Sequence, residues 1–157
     1  MEKHHLYIQR AVELAKEGVL NDKGGPFGAV IVKDGKIVGE GSNMVTSQND
    51  PTAHAEVVAI RNACKNLNSF QLTGCTIYAS CEPCPMCLGA IYWARPDKLI
   101  FACTKEDAKK AGFDDQFIYE EIDLPYSERK ITTEQNGRDI AIEVFKLWQV
   151  KKDRIDY

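Results

Sequence analysis

The alternation of apolar and polar positions divides the N-terminal part of the chain into a helix and a hairpin. Apolar side chains recur at helical spacing over residues 4–19, which predicts an amphipathic helix that weakens at Gly18. Residues 29–32 and 36–38 are short apolar runs on either side of Asp34-Gly35, a dipeptide that favours a tight β-hairpin turn. We therefore predict one helix followed by two antiparallel strands.

The middle of the chain alternates helices and strands after a polar loop at residues 41–50. Pro51 suits the first residues of a helix, which either Asp50 or Thr52 can cap. The apolar residues of this helix surround its axis almost completely, which is typical of a buried helix. Residues 76–79 and 99–102 are predicted strands, and a second buried helix over residues 83–94 separates them. This order of elements predicts a layered α/β domain with helices on both faces of a mixed sheet.

The C-terminal part of the chain is less regular. A short polar helix over residues 105–111 precedes residues 113–119, whose aromatic and acidic side chains predict a loop. Residues 141–148 place four apolar side chains at i, i+3, i+4 and i+7, which predicts a last amphipathic helix. We treat residues 1–157 as a single domain, because the sequence contains no repeat, linker or low-complexity tract.

Composition limits the cellular setting and the class of partner. The chain has 157 residues, a formal net charge of −3 and no run of about 18 apolar residues that would cross a membrane. Residues 1–6 lack an apolar signal segment, so we expect a cytoplasmic protein. The acidic balance weighs against a nucleic-acid partner. Three of the six cysteines fall within seven residues, which in the cytoplasm favours a metal site over disulfides.

Two short motifs supply the chemistry. His54-Ala55-Glu56 and Pro83-Cys84-Pro85-Met86-Cys87 each lie near the predicted start of a helix, and Cys84 and Cys87 are spaced to share one helical face. Zinc takes imidazole and thiolates readily, and three protein ligands leave a fourth position for water. The pattern H-x-E…P-C-x-x-C is the signature of zinc-dependent nucleobase deaminases. We therefore predict His54, Cys84 and Cys87 as zinc ligands and Glu56 as the proton carrier.

Other interpretations of the same residues exist. Cys81, Cys84 and Cys87 together with His54 can close a structural, non-catalytic zinc site with no open position. A further alternative is a buried histidine beside packing cysteines. We favour the catalytic site because Cys81 lies at a strand end and is expected to point away. A closed site would also leave Glu56 without a role.

Residues 26–103 resemble the cytidine deaminase-like superfamily. The likeness is carried by Pro26-Phe27-Gly28-Ala29, by Asn43 and by the two motifs described above. It implies a three-layer α/β/α sandwich around a mixed sheet of five strands. It also implies one zinc ion per subunit with a bound water or hydroxide, held by His54, Cys84 and Cys87, with Glu56 as proton shuttle.

Two longer stretches of the sequence resemble one particular group within this superfamily. Residues 80–95 and 112–119 are similar to the bacterial guanine deaminases of this superfamily. The likeness implies hydrolytic deamination of free guanine to xanthine and ammonia, with Asp115 engaging guanine during the reaction. It also implies a set of substrate-binding residues: Asn43, Phe27, Ala55, Trp93 and Asp115. Guanine suits a carboxylate partner because its ring N1–H and its exocyclic amine are hydrogen-bond donors.

The resemblance further implies a homodimer. Members of this family exchange C-terminal segments, here residues 139–157, and a terminal tyrosine, here Tyr157, closes the neighbouring subunit's site. Residues 123–138 do not match the family pattern. The alternative functions are a tRNA adenosine-to-inosine deaminase, which needs a basic RNA-binding surface, and a cytidine or deoxycytidylate deaminase.

Overall fold

The computed structural model describes residues 2–157, with side chains described from residue 3 onward. The helices are α1 (Glu2–Leu20), α2 (Val45–Gln48), α3 (Ala55–Leu67), α4 (Pro85–Ala94), α5 (Lys105–Lys110), α6 (Gln116–Asp123) and α7 (Arg138–Val150), with a 3-10 turn at Tyr126–Glu128. The strands are β1 (Gly28–Lys33), β2 (Lys36–Ser42), β3 (Cys75–Cys81) and β4 (Lys98–Cys103). None of the helices within the described residues combines the length and the apolar character that crossing a bilayer requires.

The strands form one mixed sheet in the order β2-β1-β3-β4. Strand β1 runs antiparallel to both β2 and β3, and β3 runs parallel to β4. The hairpin between β1 and β2 turns at Asp34 and Gly35, whose φ angles of 50° and 76° are both left-handed. The predicted hairpin is therefore confirmed, and the mixed α/β architecture with it.

The sheet has four strands over residues 2–157, so the expectation of a fifth strand is wrong for this chain. The four observed strands are those that the apolar pattern itself predicts. Beyond Cys103 the chain continues mainly as helices and irregular segments. Strand β4 consequently pairs with β3 on one side only.

Alternate residues of the sheet pack against helices on its two faces. Ala29 and Ile31 of β1 join the core cluster that includes α3 and α4, whereas Val30 and Val32 pack with residues of α1. Helix α3 approaches β2 closely at Gly41, where an added Cβ would lie 2.3 Å from the carbonyl oxygen of Ala55. This contact fixes the first turn of α3 against the sheet.

Two sequence predictions about the middle helices are wrong. Helix α3 begins at Ala55 with His54 as its N-cap, not Asp50 or Thr52, because the Asp50 carboxylate accepts hydrogen bonds from the backbone N–H and the hydroxyl of Thr52 and forms a separate turn. Helix α4 is not buried all round, since it buries one stripe of side chains and exposes Tyr92 and Trp93.

The chain forms two compact units, which divide between Asp115 and Gln116. In the second unit, Gln116–Tyr157, helix α6 occupies part of the segment predicted as a loop. The Arg129 guanidinium donates hydrogen bonds to the carbonyls of Leu124 and Ile122, both at 3.1 Å, and ties the following turn to α6. Helix α7 confirms the predicted last helix, and its apolar side chains are exposed.

Candidate metal centre and active site

The side chains of the three predicted zinc ligands lie close together in the structure. The Nδ1 atom of His54 lies 3.5 Å from the Sγ atom of Cys84 and 3.5 Å from the Sγ atom of Cys87. All three donor atoms lie within 4.8 Å of one another. A tetrahedral zinc ion with ordinary bond lengths separates a nitrogen and a sulfur ligand by about 3.6 Å. The donor set and its spacing therefore fit zinc.

Both motifs place a ligand at the N-cap of a helix rather than inside the first turn. His54 is the N-cap of α3, with φ −70° and ψ 155°, and Cys84 is the N-cap of α4, with φ −66° and ψ 168°. Pro85 begins α4 without losing a helical hydrogen bond, and the Cys84 sulfur accepts one from the backbone N–H of Cys87. The positive ends of two helix dipoles thus point at one site and stabilise negative charge there.

The electrostatics of the cluster favour a thiolate. The Cys87 hydrogen bond, with a further contribution from His54, lowers the pKa of Cys84 to about 4. The same hydrogen bond, in which Cys87 is the donor, raises the pKa of Cys87. The interaction with Cys84 also raises the pKa of His54. The hydrogen bond from Cys87 thus favours the thiolate form of Cys84, which is the form that binds metal.

Cys81 lies outside this cluster. Its thiol points toward the carbonyl oxygen of Thr104 at 3.5 Å, and burial raises its pKa to about 11. The group of metal-binding side chains found among the described residues contains His54, Cys84 and Cys87 without Cys81. Three protein ligands are the arrangement of catalytic zinc sites, which keep one position for water or substrate.

Glu56 is buried beside the ligands. It is the second residue of α3, and its side chain is 8% exposed. Burial raises the pKa of the Glu56 carboxyl, and the charge of Cys84 raises it further. A carboxyl group whose pKa moves toward neutrality both accepts and releases protons readily, which is the requirement for a proton carrier.

Asn43 lies between β2 and α2, and Phe27 directly precedes β1. Asn43 is 6% exposed and directly follows β2. The rings of Phe27 and Phe113 meet edge to face with their centroids 4.9 Å apart. Phe113 was not among the predicted site residues, although its position directly before Asp114-Asp115 offered a signal. The contact holds the residue before β1 against the segment that leads to Asp114 and Asp115.

The two acids after Phe113 differ in environment. Asp114 is exposed and forms an ion pair with Lys109 at 3.1 Å. Asp115 is half-buried, and burial raises its pKa. The charge of Cys84 also raises the pKa of Asp115, which indicates that this carboxyl lies within electrostatic range of the metal ligands. Asp115 is thus the acid that can serve the site.

The remaining predicted residues are placed differently. Ala55 is the first residue of α3 and is fully buried between the two metal-site residues His54 and Glu56. Trp93 lies near the end of α4 with 65% of its surface exposed. Tyr157 is the last residue of the second unit and is 69% exposed. The roles assigned to Trp93 and Tyr157 stay predictions.

Known proteins resemble this chain in both sequence and structure. Residues 1–103 match the family described as the cytidine and deoxycytidylate deaminase zinc-binding region. Guanine deaminase of Bacillus subtilis is 56% identical over 154 residues, which cover 98% of this chain and 99% of that protein. The X-ray structure of guanine deaminase from the same organism superposes with a TM-score of 0.96 over 98% of both chains. The tRNA-specific adenosine deaminase of Aquifex aeolicus is 37% identical over 77% of this chain and 80% of its own length.

The matched regions contain the residues of the metal centre. The match to the Bacillus subtilis protein extends over nearly the whole chain. The sequence motifs and the geometry of His54, Cys84 and Cys87 are consistent with both matches. The chain therefore belongs to the zinc-binding cytidine and deoxycytidylate deaminase family and, within it, to the bacterial guanine deaminases.

Proposed function

We propose that this chain catalyses the hydrolytic deamination of free guanine to xanthine and ammonia. The observation that carries the proposal is the 56% identity to a guanine deaminase over 98% of the chain, which includes the second compact unit. His54 and Cys84, which are half-buried, together with the buried Glu56 and Cys87 supply the chemistry that such a reaction needs. The cytoplasmic location expected from the sequence stays a prediction.

His54, Cys84 and Cys87 would hold one zinc ion in each subunit. When bound there, zinc lowers the pKa of water so that a nucleophilic hydroxide is available near neutral pH. Glu56 accepts the proton of the attacking water and delivers it to a ring nitrogen of the purine. The same carboxyl then takes the proton of the new hydroxyl group on the tetrahedral carbon and passes it to the amine, so that the carbonyl forms and ammonia leaves. Burial supports both roles of Glu56, because it keeps the carboxyl pKa high enough for proton return.

The purine lies between polar and aromatic groups of the first unit. The Asn43 carboxamide binds the ring through a hydrogen bond, and Phe27, held edge to face by Phe113, supplies an aromatic contact. Asp115 accepts hydrogen bonds from the donor edge of guanine. Ala55 contributes backbone contact at the start of α3, and Trp93 completes the pocket.

Substrate assays on the zinc-loaded protein test the proposed function. We expect fast release of ammonia and the absorbance of xanthine with free guanine. Neither adenosine in tRNA nor cytidine should be turned over at a comparable rate. Inosine formation in tRNA without guanine turnover would instead support the adenosine deaminase function, which the Aquifex aeolicus relative makes the second candidate.

Asp115→Asn should lower kcat/KM for guanine by about 10- to 100-fold. The substitution replaces a charged acceptor, whose hydrogen bonds are worth about 1.5–3 kcal/mol, with a neutral amide. Steady-state kinetics with guanine measure the change, and metal analysis should show an unchanged zinc content. Asp114→Asn is the matched control and should behave like the wild type, because Asp114 makes an exposed ion pair with Lys109. Equal kinetics in the two variants would remove Asp115 from the mechanism.

A homodimer that exchanges residues 139–157 is the second part of the proposal. Helix α7 exposes an apolar stripe that includes Val144, Phe145 and Trp148, and Phe145 alone is 65% exposed. A continuous stripe of exposed apolar side chains is typical of a protein–protein contact. The first unit offers a complementary cavity of about 450 Å³ lined by exposed apolar residues of α1 such as Val12 and Val19. We assign this cavity to the C-terminal segment of a second copy, whose Tyr157 closes the site.

Phe145→Asp combined with Trp148→Asp should convert the dimer to a monomer with little activity. The two charges would have to be buried without partners at the proposed interface. Analytical ultracentrifugation measures the mass, and Leu6→Asp, at an equally accessible apolar side chain of α1, should leave the dimer intact.

Deleting Tyr157 should keep the dimer and lower kcat/KM. A monomeric wild type with full activity after that deletion would contradict the exchange.

A further inference from the structure

The carboxamide of Asn43 is held by backbone groups from two directions. Its oxygen Oδ1 accepts hydrogen bonds from the N–H of Gly25 at 3.1 Å and from the N–H of Val45 at 3.2 Å. A carbonyl oxygen has two lone pairs, and only the oxygen of a carboxamide can accept these bonds. The orientation of the amide is therefore determined, and its NH₂ group is the part left to meet a ligand.

Gly24 is required by the closeness of this packing. An added Cβ at Gly24 would lie 2.3 Å from Oδ1 of Asn43 and 2.6 Å from the Asn43 carbonyl oxygen. Contacts this short do not occur in folded proteins, so a side chain at Gly24 must displace Asn43 or the turn itself. Gly89 differs, since no atom lies within 4 Å of its added Cβ.

The turn cannot move away from Asn43 easily, because it is fastened on both sides of Gly24. The Lys23 carbonyl accepts hydrogen bonds from the backbone N–H of Ser47 at 3.2 Å and from the Ser47 hydroxyl at 2.7 Å. On the other side, the backbone N–H of Asn43 donates to the Phe27 carbonyl at 3.0 Å. Residues 23–27 and Asn43 thus form one hydrogen-bonded unit.

We propose that the Gly24-Gly25 turn is a positioning element that fixes Asn43 as a hydrogen-bond donor toward the purine. The site then selects purines that offer an acceptor, such as a ring nitrogen or a carbonyl oxygen, opposite the Asn43 NH₂ group. Guanine carries such acceptors at N7 and O6. This inference rests on the proposed guanine deaminase function and adds Gly24 and Gly25 to the residues that determine specificity.

Asn43→Asp tests the polarity of this contact. The aspartate keeps an oxygen for both backbone N–H groups, and charged acceptors strengthen such bonds, so the melting temperature should not fall. The outward donor becomes an acceptor that faces the acceptor of the purine. We expect KM for guanine to rise about 100-fold or more, because a buried polar group left without a partner discriminates strongly. Zinc content should stay at one ion per chain.

Gly24→Ala tests the turn itself, with Gly89→Ala as the control. We expect Gly24→Ala to raise KM by about 10-fold or more while kcat and zinc content change little, because Asn43 is turned away from the substrate. Gly89→Ala should match the wild type in all three quantities. A Gly24→Ala protein with unchanged KM but lower kcat and melting temperature would make the glycine merely structural and overturn the proposal.

Two further outcomes separate this inference from the proposed function. A wild type that turns over guanine, together with an Asn43→Asp variant whose KM is unchanged, would overturn the inference alone. A wild type that does not turn over guanine would overturn the proposed function and the inference with it. If Gly24→Ala fails to fold, the KM of Asn43→Asp decides.

Discussion

Cys87→Ala should weaken zinc binding by about 100- to 1,000-fold and abolish guanine turnover. Structural zinc sites bind their metal with about 10–16 kcal/mol shared among the ligands, so one thiolate is worth several kcal/mol. In this chain Cys87 is one of only three donors in the cluster that the described residues form. The Cys87→Ala variant would retain only two of the three ligands, His54 and Cys84. Zinc per chain after dialysis, measured by atomic absorption, gives the result directly.

Cys81→Ala is the matched control for this loss. Cys81 lies three residues before Cys84, and its thiol points to the Thr104 carbonyl instead of the metal cluster. The variant should therefore keep one zinc ion per chain and its activity. The spectrum of the cobalt-substituted protein should show two thiolate ligands in both the wild type and this control. Loss of metal from Cys81→Ala would establish the closed structural site and contradict the catalytic one.

Glu56→Gln should lower kcat for guanine by about 100- to 10,000-fold and leave zinc in place. The amide fills the same space as the carboxyl but neither accepts the proton of water nor returns one to the purine. The zinc ligands His54, Cys84 and Cys87 are unchanged, so metal analysis should give the wild-type content. Glu120→Gln, at an exposed glutamate, serves as the control. Substantial activity in Glu56→Gln would assign the proton transfer to another group.

The same variant should be more stable than the wild type when both are metal-free and near pH 7. Burial raises the folded-state pKa of Glu56 above its ordinary value of 4.5. Between the unfolded and folded pKa values the unfolded chain binds fewer protons, so stability falls as the pH rises through this window. The difference in Tm should vanish below about pH 4, where the carboxyl is protonated in both states. A difference independent of pH would mean that the charge of Glu56 is not its cause.

The metal site could be predicted from the sequence because its geometry is set by local structure. His54 and Glu56 lie two residues apart at one helix start, and Cys84 and Cys87 lie three apart at another. What the pattern missed is that His54 and Cys84 are N-caps. Helix starts depend on side-chain hydrogen bonds such as the one from Thr52 to Asp50, and several nearby polar residues can serve as caps.

The region after Cys103 was harder to predict. A fifth strand was expected only from the resemblance to the superfamily, and no segment there alternates apolar and polar residues as a half-buried strand does. The start of α6 at Gln116 could not be predicted from residues 113–119, because acidic and aromatic residues are mixed there and the apolar face of α6 is short. The roles of Trp93 and Tyr157 came from the resemblance alone and stay predictions.

The two capped helices also contribute to the charge balance of the site. Each helix N-terminus acts like about half a positive elementary charge. With zinc bound, the thiolates of Cys84 and Cys87 balance the ion, and the two helix ends offset the carboxylate of Glu56. An uncharged purine then enters without net electrostatic cost.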